Sequence, residues 1–229
     1  RRRLAIARDT KDFQSQIFAL NNIGTLLLQK GEFQTASQTF DQALIIAQNL
    51  NSPEGYGISL SNLGLASARL GDYNKAVKLY KNALNYRRKV GDPIGEANTL
   101  NNLGEAYEVV GNYQDRIRTY GTALRLARAS RDNLNQLRAI DGLVAAHGSV
   151  GRNKRAIKLL EKRLAIASYL RSPREQLKSF ESYAQLYEKL GKYTTARNFY
   201  ERAITLAKNI QDTRSELLLR DRVTQMMKK

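Results

Sequence analysis

The sequence contains no cysteine and no tryptophan, and only three prolines and one histidine among 229 residues. Without cysteine the chain forms no disulfide and offers no thiolate to a metal ion. No apolar run reaches about 18 residues, so we predict no membrane-spanning helix. The absence of cysteine fits either redox compartment, and we favour a cytoplasmic location.

Catalytic patterns are also missing. There is no cysteine nucleophile, and the lone His147 stands in a column that holds Tyr107 and Tyr187 in other repeats, so we expect it to be a packed core residue. Glu105 and Glu108 lie three apart on one predicted helix, which a solvated helix face explains better than an acid pair or a metal site. We predict no enzymatic activity, no cofactor and no metal ion.

Positive charge is in large surplus, with 38 Lys and Arg against 21 Asp and Glu, for a formal net charge of +17. Such a surplus informs about partners rather than about fold, and it favours acidic peptides, nucleic acid or an anionic membrane surface.

The chain repeats itself every 40 residues without an insertion. Glycines mark the period at Gly31, Gly71, Gly111, Gly151 and Gly191. The prolines share one column at Pro53, Pro93 and Pro173. Apolar residues at helical spacing before and after each glycine predict two helices per repeat, because glycine supplies the left-handed conformation that ends a helix.

The pattern Leu-x-x-Leu-Gly-x-x-Tyr, followed by Gly-x-Tyr-x-x-Ala-x-x-x-Tyr-x-x-Ala-Leu, resembles the tetratricopeptide repeat, best at 60–84 and 100–124. The 40-residue period is similar to the long-helix variety of kinesin light chains, Pins-type adaptors and cyanobacterial proteins. The resemblance implies an all-α, right-handed α-solenoid that acts as a non-catalytic scaffold for protein–protein interaction.

We expect residues 1–229 to form a single array. Residues 1–16 would end a truncated upstream repeat, and residues 217–229 would be the C-terminal part of a capping helix that begins near 213. The predicted repeats are 17–56, 57–96, 97–136, 137–176 and 177–216. An uncapped N-terminal end would expose a stacking surface, so one alternative function is a self-associating structural module.

Two arginines stand where the family has a small alanine. We expect looser packing around the fourth repeat, which contains Arg163, or else ordinary drift in which the stems of Arg116 and Arg163 reach out to solvent.

The resemblance places one face of each first helix in a concave, peptide-binding groove. The predicted peptide-binding residues on this face include a row of asparagines, Asn22, Asn62 and Asn102, with Asn21 and Asn101 beside them. The others are Phe18, Ile58, Leu65, Arg69, Arg138, Lys178 and Gln185. A row of asparagines offers donors and an acceptor to an extended peptide. The alternative is that these asparagines are solvated polar residues copied with the repeat.

Charge changes along the predicted groove. Phe18, Ile58 and Leu65 make its first half partly apolar, whereas Arg138 and Lys178 make its second half basic. We therefore expect a peptide with an apolar anchor and acidic residues.

A basic stripe on the second helices leaves polyanion binding as another alternative. It runs through Lys75, Lys78, Arg118, Arg155, Lys158 and Lys162. We do not expect nucleic acid as a partner, because single-strand binding uses exposed aromatic side chains. Most tyrosines, Tyr73, Tyr113 and Tyr193 among them, fall in predicted core columns.

Overall fold

The computed structural model describes residues 2–227, and the remaining residues of the two terminal segments, 1 and 228–229, lie outside it. Twelve helices follow one another along this part of the chain, and it contains no strand, which confirms the predicted all-α class. They are α1 (Arg2–Asp9), α2 (Phe13–Gln29), α3 (Phe33–Asn49), α4 (Pro53–Arg69), α5 (Tyr73–Lys89), α6 (Pro93–Val109), α7 (Tyr113–Ala129), α8 (Asn133–Ser149), α9 (Asn153–Tyr169), α10 (Pro173–Lys189), α11 (Tyr193–Asn209) and α12 (Thr213–Met226).

The chain divides into two units, one ending at Ala139 and the other beginning at Ile140, so that α8 contributes to both. In the first unit α2, α4 and α6 each pack on the helix that follows them, and in the second unit α10 packs on α9 and α11. Helix pairs start at 13, 53, 93, 133 and 173, four residues before the repeat boundaries read from the sequence.

Every turn between helices is three residues long, and its middle residue has a positive φ. In the turn after α2, the N–H of Gly31 (φ 81°) bonds to the carbonyl of Leu28, and the N–H of Glu32 bonds to the carbonyl of Leu27. These bonds satisfy the last carbonyls of the helix in the manner of a Schellman motif. The regular turn therefore fixes the 20-residue spacing of the helix starts.

The core of each pair depends on a close approach between its helices. At Gly64 a Cβ atom would lie 2.6 Å from the ring of Tyr80, and at Gly104 it would lie 2.7 Å from the ring of Tyr120. Glycine at these positions lets the aromatic ring of the second helix lie directly against the backbone of the first. Alanines such as Ala76 and Ala83 are fully buried on the same side of the second helix.

Both arginines in alanine columns are buried, so the alternative in which their stems reach solvent is wrong. Arg116 is 2% exposed and Arg163 is fully buried. Each has a carboxylate within reach: Glu108 for Arg116, and Asp141 and Glu175 for Arg163. A buried guanidinium is tolerated where carboxylates compensate for the water it loses.

Two tyrosines predicted to be core residues are exposed. Tyr113 is 52% exposed and Tyr193 is 45% exposed. Each is the first residue of its helix, next to the turn, where only part of the ring is covered by the preceding helix. Tyr80, Tyr120 and Tyr200, further into their helices, are buried as predicted.

Candidate peptide-binding faces

In the first unit the first helices of successive pairs contact each other. α4 touches both α2 and α6, whereas the second helices α3, α5 and α7 make no comparable contacts among themselves within the described residues. The side formed by α2, α4 and α6 is therefore the more tightly packed side of this unit. We call its solvent-facing surface the inner face.

Small polar residues join these first helices below the inner face. The Nδ2 of Asn21 donates to the Oγ of Ser59 (2.9 Å), and Ser61 bonds to Thr99 (3.0 Å). One repeat on, the Nδ2 of Asn101 donates to the Oδ1 of Asn135 (3.0 Å). All of these side chains are buried. We call this row the first-helix seam.

The seam changes the role expected for two predicted site residues. Asn21 is 3% exposed and Asn101 is fully buried, so neither side chain is open to a peptide in this structure. Their neighbours Asn22, Asn62 and Asn102 are exposed or half-exposed. One residue along a helix is a rotation of about 100°, enough to move a side chain from the surface into the contact with the next helix.

The amides of Asn62 and Asn102 are held in opposite orientations. Asn21 donates through Nδ2 to the carbonyl of Ile17, so its Oδ1 accepts from the Nδ2 of Asn62 (2.8 Å). Arg138 has only donors, so the Oδ1 of Asn102 accepts from its Nη2 (2.7 Å). Asn62 thus keeps its Oδ1 for a further partner, whereas Asn102 keeps both N–H groups of its Nδ2.

Arg138 reaches from the start of α8 across the face of α6. Its Nη1 donates to the Oδ1 of Asn98 (3.0 Å), and its Nη2 also donates to the Oε1 of Glu105 (2.8 Å). The arginine side chain remains one-third exposed and the Glu105 side chain is 56% exposed. An exposed ion pair of this kind contributes little to stability, so it can exchange for another partner at small cost.

A second charged pair lies at the end of α6. Nη2 of the buried Arg116 is 2.9 Å from Oε2 of Glu108, but the angle is not that of a hydrogen bond.

Burial raises the pKa of the Tyr80 and Tyr120 hydroxyls, and the charge of Glu105 raises both further. These phenols are therefore neutral over the physiological pH range.

Open clefts lie along the inner face. One of about 260 Å³ is lined by Leu65, Arg69, Tyr80, Asn102, Glu105 and Val109. Another of about 370 Å³ lies beside α1 and is lined by Ile6, Ala7, Thr10, Phe18, Ala19 and Asn22. Phe18 is 37% exposed there, and Ile58 and Leu65 are half-buried, so the predicted apolar residues do present apolar surface.

The second unit carries its own cleft between α8 and α10. It measures about 360 Å³ and is lined by Asp141, Ala145, Ser149, Lys178, Gln185 and Lys189. Nζ of Lys178 is 3.1 Å from Oδ2 of Asp141, and Nζ of Lys189 donates to the carbonyl of Gly148 (3.0 Å). Lys178 and Gln185 are exposed, as their predicted role requires.

Beneath this second cleft, the guanidinium of Arg163 has a partner for each of its nitrogens. Its Nε and Nη2 donate to the two oxygens of Asp141 (2.5 and 3.3 Å). Its Nη2 also donates to Oε2 of Glu175 (2.8 Å). Its Nη1 donates to the carbonyl of Glu175 and to Oγ of Ser179, both at 2.7 Å. Arg163 thus ties α8, α9 and α10 together and orients Asp141 toward Lys178.

Sequence reasoning missed the parts played by Arg116, Arg163 and Glu105. A signal was present for the arginines, since each departs from a small-residue column and has an acidic residue 8 to 22 positions away. For Glu105 the partner comes from the next repeat, and no local spacing points to it.

His147 is buried, as predicted. Burial lowers its pKa, and the charges of Arg155 and Arg152 lower it further. Within residues 2–227 no group of three or more His, Asp or Glu side chains is placed to hold a metal ion. Over the same residues no helix is both long and apolar enough to cross a membrane.

Several known structures share this fold. BtubC (BKLC) from P. vanneervenii superposes with a TM-score of 0.80 at 22% identity, over 92% of this chain and 86% of that one. A Podosopora anserina putative kinesin light chain, with nearly identical TPR-like repeats, superposes with a TM-score of 0.72 at 22% identity, over 85% of this chain and 96% of that one. PilF of Pseudomonas aeruginosa superposes with a TM-score of 0.68 at 19% identity, over 94% of this chain and 93% of that one.

These likenesses confirm the predicted solenoid fold class. No curated protein sequence matches the chain. The tetratricopeptide repeat family matches residues 15–89, 95–168 and 177–210, most of the sequence. With its helix pairs, its glycine–aromatic contacts and its three-residue turns, the chain belongs to the tetratricopeptide repeat family.

Proposed function

We propose that the inner face of the first unit binds an extended segment of a partner protein. Tetratricopeptide repeats serve in general as non-enzymatic scaffolds for protein–protein interaction. The observation that carries the proposal is the opposite orientation of the Asn62 and Asn102 amides, each held by a neighbour and each with free hydrogen-bonding capacity toward solvent.

Each amide has a distinct part in this proposal. The Oδ1 of Asn62 accepts a backbone N–H of the peptide, and the Nδ2 of Asn102 donates to a backbone carbonyl. Asn22, which is exposed, adds a third amide at the α2 end. Asn21 and Asn101 support the face from the buried seam rather than touch the peptide.

Side chains of the peptide give specificity. An apolar residue packs against Phe18, Ile58 and Leu65, and an acidic residue pairs with Arg69 or replaces Glu105 at Arg138. In the second unit, Lys178 and Gln185 form a separate contact for a carboxylate. The surplus of basic residues over the whole sequence supports an acidic partner.

A display library of random peptides, selected on the purified protein, tests the proposal. We expect the double variant Asn62→Ala with Asn102→Ala to weaken binding of the selected peptides about tenfold, because two hydrogen bonds to a preformed site are lost. The matched control is Asn82→Ala with Asn85→Ala, two exposed asparagines of α5, which should leave affinity unchanged. Unchanged affinity in the Asn62 and Asn102 variant would rule the face out.

Asn102→Asp separates binding from folding. Aspartate keeps an oxygen for Arg138 and adds charge to that bond, so we expect the protein to fold at least as well as the wild type. The group turned toward the peptide changes from two donors to an acceptor. Peptide affinity should therefore fall while thermal stability does not.

Self-association is a second candidate, supported by exposed apolar side chains at both ends of the described chain. Ile6 is 54% exposed at the first end, and Leu217 and Leu218 are both 63% exposed on α12. Light scattering across protein concentrations tests it. A mass that stays at 25.9 kDa at every concentration would exclude self-association and leave peptide binding as the remaining proposal.

A further inference from the structure

The solvent-exposed side of α9 carries a cluster of cations without counter-ions in the described chain. It consists of Arg152, Lys154, Arg155, Lys158 and Lys162, and we call it the α9 basic face. All five are exposed, and none makes an ion pair or a side-chain hydrogen bond with another residue of the described chain. By contrast, Arg118 on α7 and Arg197 on α11, also exposed, each pair with a carboxylate on their own helix.

The position of the α9 basic face strengthens the positive electrostatic potential there. Three of the five cations lie at the N-terminus of α9, where the helix dipole is already positive and where acidic residues are the favourable ones. The first turn contains no acidic residue, and Arg152 at the N-cap gives no side-chain acceptor to it. The field reaches the buried His147, whose pKa is lowered first by burial and then by Arg155 and Arg152. The clustered positive charge lowers the local stability of α9, and a bound anion would offset that loss.

We propose that the α9 basic face binds an acidic polypeptide segment of a partner protein, independently of the inner face. Arg155, Lys158 and Lys162 follow one another at three and four residues, the spacing of side chains along one side of a helix. Carboxylates on one side of an acidic helix have the same spacing. Further carboxylates of the segment bind at the first turn of α9.

Other anionic partners fit less well. Single-stranded nucleic acid binds to aromatic side chains as well as to cations. The one exposed ring of α9, Tyr169 (80% exposed), lies about 10 Å beyond Lys162 along the helix axis. Membrane surfaces call for large apolar residues next to the cations, and the exposed residues between Lys158 and Tyr169 include Glu161 and Ala165 instead. A second copy of this chain has the same +17 net charge, which disfavours its docking on this basic face.

The repeat supplies a matched control for the test. Arg155 and Lys158 have their equivalents two periods earlier in Lys75 and Lys78, which are exposed on α5. Arg155→Glu with Lys158→Glu and Lys75→Glu with Lys78→Glu make the same change in net charge. On α5, however, Asp72 caps the first turn by accepting from the N–H of Lys75 (2.9 Å).

Binding of a fluorescein-labelled oligoglutamate peptide is measured by anisotropy, with circular dichroism to check the fold. We expect the charge-reversal variant on α9 to weaken binding about tenfold, and the charge-reversal variant on α5 to change affinity less than about twofold. The affinity of the neutral Arg155→Gln with Lys158→Gln variant should lie between those of the wild type and the α9 charge-reversal variant. Affinity should fall as salt rises. Equal losses in both reversals, or no loss on α9, would overturn the proposal. Tighter binding of oligothymidylate with the same dependence on α9 would overturn it in favour of nucleic acid.

Discussion

Arg163 and Arg116 give a paired prediction, because both replace an alanine of the repeat yet have different surroundings. Arg163→Ala would restore the residue present at Ala43, Ala83, Ala123 and Ala203, all fully buried. The substitution leaves Asp141 and Glu175 without their cation. Removing one partner of a buried ionic cluster typically costs about 3–5 kcal/mol.

The carboxylates decide where in that range the loss falls. Side chains of Asp141 and Glu175 are 27% and 32% exposed, so water partly replaces the lost guanidinium. We therefore expect a loss near the lower end, about 3 kcal/mol. Arg163→Lys should not rescue it, since lysine cannot reproduce the five donors of the planar fork.

Arg116→Ala should cost less than about 1 kcal/mol, or stabilise the protein. The Nε and Nη2 of Arg116 are buried without a hydrogen-bond partner in the described chain, and that cost disappears with the side chain. The partner it leaves, Glu108, is 49% exposed and is readily hydrated.

Urea unfolding followed by circular dichroism measures both variants, and hydrogen exchange locates the change. Repeat proteins open locally, so the effect of Arg163→Ala should be concentrated in α9, α10 and the second-unit part of α8. An Arg163→Ala loss below about 1 kcal/mol, or a larger loss in Arg116→Ala, would refute the assignment of the two arginines.

Three further predictions concern packing and titration. Gly64→Ala places a Cβ 2.6 Å from the ring of Tyr80 and should lower the free energy of unfolding by about 1–3 kcal/mol in urea titrations. Hydrogen bonds from Ser215 hold the pKa of Asp212 below its ordinary 3.8, so the stabilisation of α12 is present above pH 3.8 and is lost as the pH falls through the lowered value, which NMR of α12 can follow. Burial, with the hydrogen bond to a carboxylate, raises the pKa of Tyr200 to about 12, so this phenol should ionise well after an exposed tyrosine in an absorbance titration, and its contribution to stability should be lost as the pH rises above 10.

The repeat made most of the fold predictable. Gly31 and its equivalents mark the helix ends, and the structure gives each of them a positive φ. The turns that lack a glycine use Lys11, Asn51, Arg131, Arg171 and Gln211 in the same conformation. Period and composition suffice here because each turn has the same length and each pair repeats the same contacts.

The candidate site was less predictable, for a geometric reason. Neighbouring asparagines such as Asn101 and Asn102 read alike in the sequence, and only the packing of α6 against α8 decides that the first is buried and the second half-exposed. Orientation of the Asn102 amide depends on Arg138, a residue of the next repeat. Such pairings require coordinates, because no local pattern links residues that lie a whole repeat apart.

NMR of the asparagine side-chain amide signals, recorded during titration with a selected peptide, tests whether the partner segment binds to the inner face. We predict that the Nδ2 signals of Asn102 shift strongly, that those of Asn62 shift less, and that the signals of the buried Asn101 do not shift. Shifts confined to residues of α3, α5 and α7, with Asn102 unmoved, would show that partners bind elsewhere on the molecule.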